Sequence, residues 1–380
     1  MKVTVISDSA NLNTGYGRIA KNIGYHLAKN HGHEVSFIGF QFRGSPMILK
    51  IKDMEFDFYS GISARQGNVP IVVNKSISHI KPDATIFIRD PVHFTPEKMV
   101  GGEGYSLSGL KPDIKLVSWI PIMSGYMDTA VKDNLIKSSD RIVTFSEYGR
   151  VFLQNIGVPY NLLSCVNPGF DETTFKKTSP YFTSKGTVFG FVGLLKDQRK
   201  QFANLLLAFK HYLKNYDSQA MLYLHSSITG VAYDIPSFAD ALNLKGHIIY
   251  PQENGLTTYS PEWGFTDEEM ASVYSSFNLT VSMSGQEGFN LPFLESLACE
   301  TPVLGIYQPS YDWSDQIQMA PSIEAVDTPT PAYGYISDPY VFAEYMDRAK
   351  TMKVNRKKLM GLTWTESAKK MDHVLRELER

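Results

Sequence analysis

Cysteine is scarce in this 380-residue chain: there are two, Cys165 and Cys299, each in an apolar stretch. Two thiols make neither a disulfide framework nor a thiolate metal site, so buried reduced cysteines are expected. Net charge is almost absent too, at -2 from 37 basic and 39 acidic residues, which excludes a global basic field for nucleic acid. The halves differ mildly, +4 before residue 170 and -6 after it, so an anionic acceptor on the first half stays open without being selected. No apolar run approaches the roughly 18 residues that cross a bilayer. Internal repeats and low-complexity tracts are missing, and residues 1–7 enter a strand pattern with no basic leader before it. A soluble, cytoplasmic protein is expected. His225 has no second His or Cys at ligand spacing, which favours a structural role, and the absence of Gly-x-Ser-x-Gly lowers an α/β-hydrolase reading.

What is present is 43% apolar residues, enough for two cores at roughly 100–200 residues per domain. Short apolar runs alternate with segments of helical period, the rhythm of βα units around a mostly parallel sheet. Strands are expected over 2–7, 34–40, 84–89, 115–121 and 141–146, with helices over 18–29, 127–138 and 147–156; the stretch 40–80 gives no clear period. Turn formers crowd residues 167–186, which suits a linker. The rhythm then restarts, with strands over 187–193, 220–225, 247–250, 279–283 and 302–306 and a helix over 201–216. The boundaries become a first domain over 1–168, a linker over 169–186, a second domain over 187–361 and a tail helix over 362–380. In that tail Trp364, Ala368, Met371, Val374, Leu375 and Leu378 form one apolar face that must dock.

Three stretches could carry chemistry. Thr14-Gly15-Tyr16-Gly17-Arg18 lies between the first strand and first helix, where glycine lets backbone approach an anion and free N–H groups attract phosphate. It is not a full G-x-G-x-x-G, since Ala20 holds the third glycine position, and Phe40, Gln41 and Phe42 stand where a dinucleotide enzyme keeps its ribose-gripping acid. Hydride transfer therefore ranks last. A second loop places Lys196, Arg199 and Lys200 near a helix start, as either a diphosphate clamp or a solvated basic loop. The third runs S-M-S-G-Q-E-G-F-N-L-P-F-L-E from Ser282 to Glu295. A strand ends, a turn follows, and a helix begins near Pro292. The amides of Gly288, Phe289, Asn290 and Leu291 would point at a ligand flanked by Glu287 and Glu295, acceptors for vicinal hydroxyls; helix capping is the plain alternative for either acid.

The spacing Glu287-x7-Glu295, in E-G-F-N-L-P-F-L-E-S-L-A-C-E-T-P-V, resembles the signature of the retaining GT-B glycosyltransferases of the Glu-x7-Glu type, the glycosyltransferase family 4-like group. T-G-Y-G-R-I-A-K-N-I, F-V-G-L-L-K-D-Q-R-K, F-T-D-E-E-M-A-S-V-Y-S-S-F-N-L and the tail L-T-W-T-E-S-A-K-K agree with it, in order along nearly the whole chain. The resemblance implies an α/β fold of two Rossmann-like βαβ domains facing a cleft, an N-terminal acceptor domain and a C-terminal donor domain, with the last helix crossing back onto the first. It implies that Glu287 touches the donor sugar, Glu295 the ribose, Gly288 to Leu291 the sugar and phosphates, and Lys200 with Arg199 or Lys196 the diphosphate. Gly15 and Gly17 would close the site, and Tyr250 to Gln252 would lie near the base. Leu194 stands where the family often has Arg, so which of Lys196 and Arg199 replaces it stays open. The family's fourth strand commonly ends in a His-containing run; here it reads I-F-I-R-D-P-V-H, which puts Asp90 or His93 near the transferred sugar.

A glycosyltransferase is therefore expected, moving a sugar from a UDP- or GDP-linked donor to an acceptor hydroxyl with retention, and needing no cofactor. No Asp-x-Asp occurs in the chain, so the metal-chelating route of the other glycosyltransferase fold is not expected. The acceptor is left open among glycan, lipid-linked sugar, protein and modified nucleobase, with 41–70 and 91–110 as candidate groove segments. A nucleotide-sugar epimerase or phosphorylase, or a noncatalytic nucleotide- or carbohydrate-binding module, are the alternatives.

Overall fold

The computed structural model describes residues 1–61, 69–94, 114–123, 125–195, 198–226, 234–251, 264–327 and 332–379. The chain divides into two compact units, Met1–Gly169 with Leu362–Arg380, and Phe170–Gly361.

The first unit runs β1 (Lys2–Ser7), α1 (Gly15–His31), β2 (Glu34–Gly39), β3 (Met47–Ile51), β4 (Met54–Ser60), α2 (Val69–Ile80), β5 (Ala84–Ile88), β6 (Leu116–Ile120), α3 (Thr129–Ser138), β7 (Arg141–Thr144), α4 (Glu147–Asn155) and β8 (Leu163–Cys165). Its sheet has the order β3-β4-β2-β1-β5-β6-β7-β8. The pairings are parallel apart from β3 with β4. β5 and β6 are buried along their whole length, as strands covered on both faces must be, and so read as plain apolar runs. β3 is an edge strand buried only at Ile51; it returns antiparallel on β4, and lacking a buried face it carries no period. That accounts for residues 47–51 of the unassigned stretch 40–80; β4, with Phe56, Phe58 and Ser60 buried in alternation, does carry the period of a strand.

The second unit runs β9 (Val188–Val192), α5 (Phe202–Asn215), β10 (Met221–His225), α6 (Ile235–Ala241), β11 (Ile248–Ile249), α7 (Asp267–Ser275), β12 (Leu279–Val281), α8 (Leu291–Ala298), β13 (Val303–Ile306), β14 (Ile317–Ala320), β15 (Ile323–Asp327), β16 (Ala332–Ile336) and α9 (Pro339–Ala349). Its main sheet is β11-β10-β9-β12-β13-β14, with β15 and β16 forming an antiparallel pair apart. α5 packs on α9 over the sheet, through Phe202, Leu205, Phe209 and Tyr212 on one side and Phe342, Ala343 and Met346 on the other. The segment 167–186 has no helix or long strand, yet Phe170 and Phe175 are buried and Arg356 donates to the carbonyls of Glu172 and Phe175.

The tail forms α10 (Trp364–Glu377), capped by Thr363, and it packs on α1 within the first unit. Trp364, Ala368, Met371, Val374 and Leu375 are buried there. Asp372 fixes the register, accepting from His33 at 2.8 Å and from Arg376 at 2.9 Å. Gly169 lies so close to Thr363 that a Cβ would stand 2.5 Å from its carbonyl carbon.

Both main sheets reverse direction beside their first strand, β2 and β5 flanking β1 in one unit and β10 and β12 flanking β9 in the other. The carboxyl ends of the two strands at such a reversal are where loops diverge and a ligand finds room. No helix among the described residues is long and apolar enough to cross a membrane.

Candidate functional site

In the second unit the reversal point lies between the ends of β9 and β12. The chain leaves β9, makes a short 3-10 turn over Gln198–Lys200 and enters α5 through Gln201, held at φ 45. That turn delivers Arg199 and Lys200 against the loop after β12. Lys200 Nζ donates to Glu287 Oε1, and Arg199 Nη1 stands 3.4 Å from Oε2 while donating to the carbonyl of Gln286. Glu287 is 7% exposed. Burial alone would raise its pKa, but Lys200 and Arg199, with a hydrogen bond from Ser284, outweigh that and bring it down to about 2. Two cations thus surround one ionised carboxylate.

The same loop is pinned by backbone on two sides. Gly285 N–H donates to Arg199 O at 2.8 Å and its carbonyl accepts from Tyr335 N–H at 3.0 Å. A Cβ there would collide with the Tyr335 carbonyl, so this position requires glycine. α8 then starts at Leu291 from Asn290, at φ 70, with no side-chain cap. Among the described residues the amides of Gly288, Phe289 and Asn290 have no hydrogen-bond acceptor. Uncapped N–H groups at a helix start beside two cations can hold an anion.

In the first unit the reversal point lies between the ends of β1 and β5. Asp8, 7% exposed, accepts from Thr14 Oγ1 at 2.7 Å and Gln41 Nε2 at 2.6 Å, and lies 2.9 Å from Arg89 Nη2. The Arg89 guanidinium sits over the rings of Phe40 and Tyr16, at 5.0 and 5.9 Å. Tyr16 donates its hydroxyl to Asp90. Thr14 caps α1 by accepting from Gly17 N–H at 3.0 Å.

No family model matches the chain, and no curated protein does. Solved structures match it end to end. Sucrose-phosphate synthase of Thermosynechococcus elongatus has 14% identity and a TM-score of 0.73 over 100% of this chain and 99% of that one. HepE of Anabaena, solved with UDP and glucose, has 12% identity and a TM-score of 0.62 over 100% and 98%. The UDP-forming trehalose-phosphate synthase of Burkholderia xenovorans, in complex with glucose-6-phosphate, has 11% identity and a TM-score of 0.66 over 100% of both. The fold is GT-B. At such identities the likeness carries the fold alone.

Within this GT-B chain the residues singled out from sequence separate into groups. Arg199, Lys200, Glu287 and the loop from Gly288 to Leu291 come together in the second unit. Glu295 is 3% exposed on α8 and accepts a hydrogen bond from Tyr274 Oη at 2.9 Å, so α7 helps to set its carboxylate. Tyr250, after β11, packs half-buried on the core of the second unit. Gly15, Gly17, Asp90 and His93 belong to the first unit, where His93 rests edge-on against Phe87 at 6.3 Å. The two glycines differ: a Cβ at Gly17 would stand 2.6 Å from Leu12 O, whereas one at Gly15 meets nothing within 4 Å. Lys196, Gln252 and most of 91–110 lie outside the described residues, as does part of 41–70. His225 is buried against Phe265. Sequence reasoning missed Asp8, Gln308 and Tyr311, and gave no role to Tyr16 or Gln41 in the stretches it named. Asp8 directly follows β1, and asking what ends each strand at the reversal would have found it.

Proposed function

We propose that the chain is a retaining glycosyltransferase of the Glu-x7-Glu type, moving a sugar from a nucleoside-diphosphate donor to an acceptor hydroxyl. The observation that carries this is the Lys200–Glu287–Arg199 cluster beside the uncapped start of α8. The C-terminal unit handles the donor and the N-terminal unit the acceptor. UDP is the first nucleotide to try, because HepE was solved with it.

The chemistry follows from where charge develops. As the bond from the anomeric carbon to the phosphate oxygen breaks, negative charge gathers on the departing diphosphate and the sugar becomes oxocarbenium-like. Arg199, Lys200 and the amides of Gly288 to Asn290 stabilise that charge from fixed positions, at no reorganisation cost during the step. Glu287, held ionised by its cations, accepts hydrogen bonds from sugar hydroxyls and does not act as an acid. The acceptor oxygen bonds to the anomeric carbon on the face the diphosphate leaves, and its proton passes to the leaving phosphate oxygen. No separate base is required, and configuration is retained. Glu295 takes the ribose hydroxyls, with Tyr274 holding its other side. Tyr16 and Asp90, with His93 near them, receive the acceptor.

The test begins with a thermal-shift screen of UDP- and GDP-sugars, since a ligand that binds only the folded state raises the melting temperature. With the donor found, Lys200→Ala and Glu287→Ala are expected to abolish transfer while the protein stays folded. Wild-type rates from both variants would overturn the assignment.

A further inference from the structure

Ser284 and Glu287 stand three residues apart after β12, the spacing at which a carbonyl and an amide commonly close a turn on each other. Instead a side chain from elsewhere stands between them. Gln308, 2% exposed at the end of β13, accepts the Glu287 N–H through Oε1 at 2.8 Å and donates through Nε2 to Ser284 O at 3.1 Å. The Ser310 hydroxyl donates to the same Oε1 at 3.4 Å. Oxygen thus faces two donors and nitrogen faces a carbonyl, which settles the orientation of the amide.

Two neighbours of Gln308 hold the next residues of the loop. Trp313 Nε1 donates to Phe289 O at 2.8 Å, and its ring stacks on Phe289 at 4.7 Å. Tyr311 Oη accepts from Asn290 Nδ2 at 2.9 Å, tying down a non-glycine residue that stands in the left-handed region at φ 70. Gln308, Tyr311 and Trp313 therefore grip the loop at 284, 287, 289 and 290, and they bind none of the amides of Gly288 to Asn290.

We propose that Gln308, supported by Tyr311 and Trp313, is a positioning residue for the donor: it holds the turn open so that Glu287 meets Lys200 and Arg199 and the loop amides face the diphosphate. The inference rests on the donor reading above. A loop shaped in advance spares the ligand the entropy of ordering it, so the brace should be visible in donor affinity.

The experiment titrates UDP, and GDP in parallel, calorimetrically into wild type, Gln308→Glu and Tyr311→Phe, and measures donor KM, acceptor KM and kcat for each. Gln308→Glu keeps an acceptor for the Glu287 N–H but sets a carboxylate against the Ser284 carbonyl; Tyr311→Phe removes the partner of Asn290 and nothing else. Expected are nucleotide affinities about 10-fold weaker for the first and ~3-fold weaker for the second, the size of one lost buried hydrogen bond or less. Donor KM should rise in step while acceptor KM holds. A role confined to folding would lower the melting temperature and the active fraction, yet leave the dissociation constant of the folded protein unchanged, and that result overturns the proposal. If Gln308→Glu does not fold, Tyr311→Phe decides. Failure of wild type to bind either nucleotide overturns the donor reading and this inference together, whereas tight wild-type binding with unaltered variants overturns this inference alone.

Discussion

The two units carry the same kind of reversal beside their first strand and place contrasting side chains at it. In the first, one guanidinium, Arg89, pairs with Asp8, which also accepts from the neutral donors Thr14 and Gln41, while Asp90 accepts from Tyr16. In the second, Lys200 and Arg199 share one carboxylate, Glu287, next to amides that no described group occupies. Topology selects the place where loops part, and side chains select the ligand. A carboxylate-rich network suits hydroxyls; a cation-rich one suits phosphate. The mild positive balance of the first half of the sequence thus says little about its ligand, because Arg89 is committed to a buried acid.

The harshest way to break the comparison is Lys200→Ala, which leaves a buried carboxylate short of its nearest cation. Transfer should fall by ~1000-fold or more and stability by about 3 kcal/mol, read from initial rates and urea melts. A pair of glycine variants sharpens the first unit. Gly17→Ala drives a Cβ to 2.6 Å from Leu12 O and 2.7 Å from Ser9 O, and overpacking of that kind costs about 1–3 kcal/mol. Gly15→Ala meets open space and should move the urea midpoint by less than ~0.5 kcal/mol; equal losses in the two would show that the α1 entry is built differently. Tyr16→Phe, which deletes the hydroxyl facing Asp90, should raise acceptor KM about 10-fold and leave donor KM unchanged. The smallest effect is in pH dependence. Glu287 sits at about 2 against an ordinary 4.5, so its contribution is complete above the ordinary value and is lost as pH falls through the lower one. Between those values the stability of Glu287→Gln should decline less steeply with acid than that of wild type, whereas parallel curves would mean that Glu287 titrates normally.

Legibility followed burial. β1 matches its expected span, and β6, expected over 115–121, runs Leu116–Ile120, because both are buried on both faces. β14, β15 and β16 escaped notice, being short or exposed, with Ile323 and Val326 turned to solvent at 72% and 63%. The loop from Glu287 to Leu291 was legible because a turn, a proline and two acids coincide at one helix start. What closes around it was not. Gln308, Tyr311 and Trp313 lie some twenty residues downstream in a segment without periodicity, and only the parallel pairing of β12 with β13 brings them back to the loop. The partnership of Lys200 with Glu287 was equally hidden, since it joins residues 87 apart in sequence. The resemblance implies a ligand for each, and the structure pairs the two with one another.

The most direct measurement is a calorimetric titration of UDP and GDP into wild type and Lys200→Ala. The account predicts saturable binding of one nucleotide by wild type and a loss of affinity of about 100-fold in the variant, the effect expected of removing a half-buried cation if it faces phosphate as proposed. Equal affinity in both proteins, or no binding of either nucleotide by wild type, would contradict it.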